Sequence, residues 1–458
     1  MATNPPSFTV FGWLVCTWVV VVSFQYGYHI STLNQIQAVL TCRETNGPAI
    51  FYGLPTCIPM TDATFSVLTS VYTVGGLLGS LTANLFMDNY GRKAAIQFST
   101  GFVAVGAGLM SLSGSMTPLL FGRLLTGVGA GIGLCVGPIF LNEIAPVKIR
   151  GSVGVLIQLA TVTGILVAQL LGVWLATPSR WRCVLIFSSV LSAVHLLLGV
   201  FMVETPVYLK KHGRLEALLA SEQRLWTISN KRVADDAEDP LLDTGDDDDN
   251  KLLAPDPALV SLTQLLHKRE LRRPLIIVSS AMVSAQISGI NAVLYYSNDI
   301  LSRSLPELGP YVSLGITVVN ALMTFPPIFL IERLGRKPLL FGSILGAIAS
   351  LIFVGVGLNS GLVLLSSVAI MTFVMSFAVG LGPIPFVIIP EVSPAHAVSS
   401  LSSFGLSLNW IVNFFVGLVF LPLRNILSGG DSSREGRVFY VFACLLFVSG
   451  AVLFRSYR

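Results

Sequence analysis

Apolar residues along this chain fall in long unbroken runs, not in the short alternations of a half-buried strand. The runs lie at about 9–30, 63–86, 94–113, 117–140, 152–175, 183–203, 274–300, 308–331, 338–358, 361–389, 398–421 and 438–455. Each is long enough to cross roughly 30 Å of hydrocarbon at about 1.5 Å per residue. A backbone in lipid must satisfy its own polar groups, so each run predicts a membrane-spanning helix. Twelve are expected, six on either side of a polar stretch. The first follows "MATNPPSFT", which has no basic residue and no small-residue cleavage site, so it is expected to remain as a span.

Composition supports a bilayer. Of 458 residues, 53% are hydrophobic and only 11% charged, against about 25% charged in soluble domains. Net charge is +4, and its placement says more than its size. With the N-terminus inside, the inner loops hold Arg92, Lys93, Lys148, Arg150, Arg333, Arg336 and Lys337, and eleven more basic residues lie between 204 and 273. The short basic turns and the even helix count favour both termini on the cytoplasmic side. Cys16, Cys135, Cys183 and Cys444 fall in apolar runs and read as small packing residues. Cys42 and Cys57 share the first outer loop, where either a disulfide or two free thiols fit. No metal-ligand spacing, cofactor motif or nucleic-acid signature is present.

Between 204 and 273 the pattern changes. "LKKHGRLEALLASEQRLWTISNKR" spaces its leucines like an amphipathic surface helix. "ADDAEDPLLDTGDDDDNK" is acidic and poor in apolar residues, a composition expected to be disordered. "PALVSLTQLLHKRELRRP" then returns to helical spacing. Three regions follow: 1–203, a linker at 204–273, and 274–458.

The outer regions repeat one another. "MDNYGRKAA" after the second run matches "IERLGRKPL" after the eighth. "FLNEIAPVKIRG" after the fourth matches "IIPEVSPAHAVSS" after the tenth. Two pairs in matching register indicate a duplicated six-helix unit, an arrangement that places substrate near the midplane between the halves. Asp88, Arg92, Glu143 and Arg150 in one half, and Glu332, Arg336 and Glu391 in the other, are candidates for ion pairs that latch the inner face. Topology alone explains the basic residues but not the recurring acids. The helix-four glycines, among them Gly127 and Gly131, read as close-packing positions. "GLGPIP" at 380–385 reads as a bend whose freed backbone groups need local partners.

The segments "DNYGRK", "GRLLTGVGAGIG", "NEIAPVKIRG", "IQLATVTGILVAQ", "RWRCVLIF", "ETPVYL", "QISGINAVLYYS", "ERLGRK", "GPIPFVIIPE" and "LNWIVNFFVG" resemble the sugar porters of the major facilitator superfamily. They span nearly the whole chain in the family's order. The fold this implies is an all-α membrane protein of twelve transmembrane helices in two pseudo-symmetric six-helix bundles. The resemblance places sugar contacts at Gln158, Gln286, Asn291, Asn320, Asn409 and Trp410, with Asn413 one turn on and Phe386 where relatives carry a tryptophan. Neutral amides suit a sugar because each offers donors and acceptors to hydroxyls. Taken singly, an intramembrane amide can equally tie helices together. The chain departs from the family at Ala285, Ala378, Val207 and His396, which implies a less polar pocket and a weaker second latch.

"SFQYGYH" puts His29 where proton-coupled members carry an aspartate and passive carriers an asparagine, opposite the arginine matched by Arg123. Beside a buried guanidinium, a histidine is expected to stay neutral and hydrogen-bonded. Polar filler, gate contact and proton carrier all remain readings of it. The expected function is a carrier, not an enzyme, moving a neutral hexose or related polyol by alternating access and facilitated diffusion, without a cofactor. Proton–sugar symport, and a non-transporting sugar sensor or sorting factor, are the alternatives. "SFQYGYH" loosely resembles a fungal vacuole-associated subgroup, so the vacuolar or endolysosomal membrane stands beside the plasma membrane. "EDPLL" at 238–242 resembles a dileucine signal for sorting adaptors, or is a chance apolar interruption.

Overall fold

The computed structural model describes residues 7–43, 49–51, 53–146, 149–227, 265, 267–294, 309–394 and 397–457. The acidic stretch and "EDPLL" lie outside these residues, as do Lys148 and His396. The side chains of Arg150 and Glu332 also lie outside the description.

Six helices precede the linker: α1 (Val10–Leu40), α2 (Asp62–Tyr90), α3 (Arg92–Ser111), α4 (Met116–Ile144), α5 (Arg150–Leu175) and α6 (Trp181–Gly199). A short hairpin of β1 (Ile50–Phe51) and β2 (Leu54–Pro55) lies between α1 and α2. The linker contributes α7 (Pro206–Lys211) and α8 (Leu215–Leu225), broken at Gly213 with φ +66°. The second half holds α9 (Arg272–Ile287), α10 (Gly309–Leu322), α11 (Pro326–Leu334), α12 (Arg336–Asn359), α13 (Val363–Ser376), α14 (Ile384–Val392), α15 (Val398–Ser428) and α16 (Arg437–Ser456).

Eleven of the described helical spans are long and apolar enough to cross a bilayer. The eighth expected crossing is split into α10 and α11 at Thr324-Phe325-Pro326-Pro327, because prolines lack the N–H that would continue the ladder. The seventh is interrupted inside "QISGIN": α9 stops at Ile287, Gly289 turns with φ +83°, and helix resumes at Ile290. The tenth bends where expected. A π-helical segment, Phe377–Leu381, joins α13 to the turn before α14. Ser343 of α12 meets its irregular backbone, donating to the Ser376 carbonyl at 2.6 Å and accepting from the Leu381 N–H at 2.9 Å.

Within the first bundle, α4 packs along α2 and α3, and α1 along α5. These crossings are close enough to demand glycine. A Cβ on Gly127 would stand 2.1 Å from the Tyr72 carbonyl oxygen, and one on Gly131 2.1 Å from that of Gly76. Cys16 is buried and Cys135 partly so, but Cys183 and Cys444 are exposed, so these two sit on the outside of the bundles instead of packing within them. Cys42 and Cys57 form a disulfide.

The first and last described residues of the chain lie at one face, called the terminal face. Phe8 bridges Trp226 just beyond α8, and Tyr457 sits by Lys337 at the start of α12. At this terminal face the apolar core divides. Val15, Met87, Ile144 and Leu225 belong to one cluster, while Leu265, Leu271, Ile389 and Leu401 belong to another. Towards the opposite face a single cluster runs through both halves, from Leu33 and Phe65 to Ile316 and Phe420.

Candidate functional site

The repeated Gly-Arg-Lys turns have matching backbones. Gly91, before α3, has φ 93° and ψ 173°; Gly335, before α12, has φ 84° and ψ 161°. That region is open essentially to glycine alone. Each turn aims its arginine at the same partner. Arg92 holds Glu143 Oε1 through Nε at 3.1 Å and Nη2 at 3.0 Å, and Arg336 Nε donates to Glu391 at 2.8 Å. Asp88 is exposed on α2. The carboxylate found at the first turn is instead Glu204, which takes the N–H groups of Arg92, Lys93 and Thr205 at 2.9–3.1 Å. These are orphan donors of α3 and of the linker start. Burial pushes the Glu204 carboxyl up, against the pull of those donors and of the Arg92 charge. Its signal in the sequence was an acid directly after the sixth apolar run, at the face where α3 begins.

Among the described residues, the most extensive packing at the seam between the bundles is α2 against α15 and α5 against α10. Trp410 of α15 is 3% exposed and reaches across it. Its indole Nε1 donates to Ser80 Oγ at 3.0 Å, and its ring lies edge-on to Tyr26 and Tyr72, at 6.0 and 6.4 Å between centroids. The ring fits because residue 76 is glycine, where a Cβ would come within 2.6 Å of it. Beside it, Asn409 Nδ2 approaches Met282 Sδ of α9 at 3.7 Å. Across the α9 break, Asn291 donates to the Gln286 side-chain oxygen, and both residues are buried. Asn413 is buried one turn beyond Asn409. Gln158 on α5 and Phe386 on α14 are exposed, and Asn320 on α10 is half-buried. Gln286, Asn409 and Trp410 thus come from the two helices, α9 and α15, that pack together, and Asn291 from the helical segment that resumes at Ile290. Gln158, Asn320 and Phe386 stand on three other elements.

His29 is sealed inside the first bundle, at 0% exposure. Its Nε2 lies 2.8 Å from Ser188 Oγ. The Ser188 hydroxyl donates to Gln25 Oε1 at 2.8 Å, so the hydroxyl is an acceptor for His29 and the ring proton sits on Nε2. Arg123, also fully buried, donates through Nη1 to the His29 carbonyl at 2.8 Å and lies over the Tyr72 ring at 4.6 Å. The guanidinium therefore meets the histidine's backbone, and its charge faces a carbonyl dipole and an aromatic face.

Two six-helix bundles with equivalent turns, meeting along a seam that carries amides and broken helices, define a secondary transporter. Residues 15–457 match the family described as Sugar (and other) transporter, and the chain belongs to that family. It is 33% identical over 466 residues to the mouse solute carrier family 2 facilitated glucose transporter member 4, covering 97% of this chain and 87% of that one. It is 29% identical to vacuolar protein sorting-associated protein 73 of Saccharomyces cerevisiae, covering 92% of this chain and 88% of the relative. Its fold matches that of the xylose transporter XylE of E. coli in a partially occluded inward-open conformation, with TM-score 0.73, 16% identity, and coverage of 97% and 99%.

Proposed function

We propose that the chain carries a neutral hexose or related sugar across its membrane by alternating access. The observation that carries this reading is the uncharged set at the seam. Asn409 and Trp410 stand on α15, the helix that meets α2 across the seam, and the Gln286–Asn291 amide pair stands at the break beyond α9, which packs on α15, between bundles whose cores join towards one face and divide at the other. Amides exchange hydrogen bonds with hydroxyls, and the indole covers the apolar face of a sugar ring. Gln158, Asn320 and Phe386 complete the site from the other helices. The terminal face is the cytoplasmic one, and the conformation is open towards it. The bundles are 1–203 and 274–458, joined by the linker.

Transport is facilitated diffusion. His29, not an acid, occupies the position beside Arg123, and its ring is committed to Ser188. The likeness to a yeast vacuolar sorting protein supports a vacuolar or endolysosomal membrane, with "EDPLL" as a contact for sorting adaptors.

Counterflow of radiolabelled glucose and a small sugar panel in proteoliposomes tests the reading. Gln158→Ala and Asn409→Ala should each slow exchange by about tenfold, the effect of losing about 1.4 kcal/mol of hydrogen bonding. Unchanged exchange in both variants would remove the site. Acidification of the vesicle interior during uptake would replace diffusion by proton symport.

A further inference from the structure

At the face opposite the termini, one carboxylate joins the two bundles. Asp62 opens α2, where its negative charge suits the helix N-terminus. It pairs with Arg43, just beyond α1, in its own half. From the other half, Arg424 Nη2 of α15 lies 3.6 Å from Asp62 Oδ2, and Asn425 Nδ2 donates to the same oxygen at 3.2 Å. Asn425 is oriented for this by its neighbour, since Arg424 Nε and Nη2 donate to its Oδ1 at 3.3 and 3.2 Å. Arg424 is 1% exposed, so its guanidinium has exchanged water for these partners.

The near side of this contact is fixed. Cys42, adjacent to Arg43, is bonded to Cys57. The Ile58 N–H donates to the Leu40 carbonyl at 2.8 Å, and Trp181 of α6 donates to the Thr56 carbonyl at 2.7 Å. Arg43 and Asp62 therefore move with the first bundle, and Arg424 and Asn425 with the second. A second cross-bundle bond, from Asn34 of α1 to Ser313 Oγ of α10 at 3.3 Å, lies at the same side of the seam. Among the described residues, the terminal-face ion pairs Arg92–Glu143 and Arg336–Glu391 each run within one bundle.

We propose that Asp62 is the gate-positioning residue of the non-terminal face: shared between Arg43 and the Arg424–Asn425 pair, it holds that face shut and must release α15 once in each transport cycle. The energetics suit a reversible lock. Desolvation cancels much of the Coulomb gain of a buried ion pair, so the contact selects one register without making separation prohibitive. Once the face opens, water takes over the solvation of Arg424. Arg43 stays with Asp62 in both conformations, so it fixes the carboxylate without itself spanning the gate.

This inference rests on the carrier reading, and the test separates the two. Ser313→Cys is placed in the full chain with the exposed Cys183 and Cys444 changed to serine, reconstituted in liposomes without sugar. A membrane-impermeant maleimide is applied from the non-terminal side. Asp62→Asn and Arg424→Gln should each raise the labelling rate by about tenfold, which corresponds to a shift of about 1.4 kcal/mol in the gate equilibrium. Arg43→Gln should leave it within about twofold, less than 0.5 kcal/mol on the same scale. Labelling unchanged by both Asp62→Asn and Arg424→Gln overturns the lock, whether or not sugar exchanges. Raised labelling in the two variants, with no sugar counterflow by the chain in which Asp62 and Arg424 are intact, upholds the lock and overturns the carrier reading. If Asp62→Asn does not fold, Arg424→Gln makes the same demand from the other side of the seam.

Discussion

The turns before α3 and α12 share a sequence motif, a backbone conformation and an arginine–glutamate pair, yet they are not equally anchored. The first is enclosed. The Arg92 and Glu143 side chains are 15% and 13% exposed, Glu204 caps the helix start, and Tyr208 lies under the guanidinium at 5.4 Å. The second is open, with Arg336 and Glu391 at 40% and 37%. Duplication conserved the direction of each contact, while burial set its strength. A first bundle held firmly at the terminal face and a second held loosely suit a machine in which one body rocks against the other.

Alanine at the two glycines should break that comparison most visibly. At Gly91 a Cβ would stand 2.3 Å from Glu204 Oε2, whereas at Gly335 the nearest atom, Pro338 Cδ, is 3.9 Å away. Both substitutions incur about 1–3 kcal/mol of backbone strain. Gly91→Ala adds an overpacking cost of about 1–3 kcal/mol. Thermal unfolding in detergent should therefore show a clearly larger loss for Gly91→Ala, and equal losses would mean that Glu204 does not crowd the first turn. The ion pairs rank next. Glu143→Gln leaves a largely buried guanidinium without its counter-charge and should cost about 3 kcal/mol. Glu391→Gln removes a solvent-screened pair and should cost about 0.2–1 kcal/mol. A loss at Glu391 as large as that at Glu143 would contradict the exposures.

The sequence made the crossings and the duplication legible because both are written in local pattern: run length, and a motif recurring in register. The bend at "GLGPIP" was equally readable, since proline and glycine announce where a helix loses hydrogen bonds. The break inside "QISGIN" was not. Its one conformational signal is Gly289, and the amides on either side look alike whether the helix continues or stops. Glu204 escaped for a different reason. Its role depends on three N–H groups, two of them more than a hundred residues away at the start of α3, and no spacing rule connects them. Asp62 and Arg424 escaped in the same way, as charges at loop edges whose meeting is a product of how the two bundles dock. His29 was legible as a polar group beside Arg123, but that the arginine would choose its carbonyl over its ring could not be read from residue types.

The smallest effect concerns pH and would sharpen the contrast between the two turns. Burial raises the Glu204 carboxyl above the ordinary glutamate range near about 4.3. For an acid whose value is raised on folding, the folded state binds the proton more tightly. Stability is then greatest below the unfolded value and declines as pH rises from there through the raised folded value, levelling off above it. The decline should be shallow, because the N–H groups of Arg92, Lys93 and Thr205 and the Arg92 charge offset part of the burial penalty. Glu204→Gln keeps an acceptor in place but removes the titration. Its unfolding temperature should be flatter with pH across that window, because the amide neither gains nor loses a proton there. An unaltered pH profile in Glu204→Gln would show that the carboxylate is hydrated at the first turn, erasing the difference in enclosure from which the comparison began.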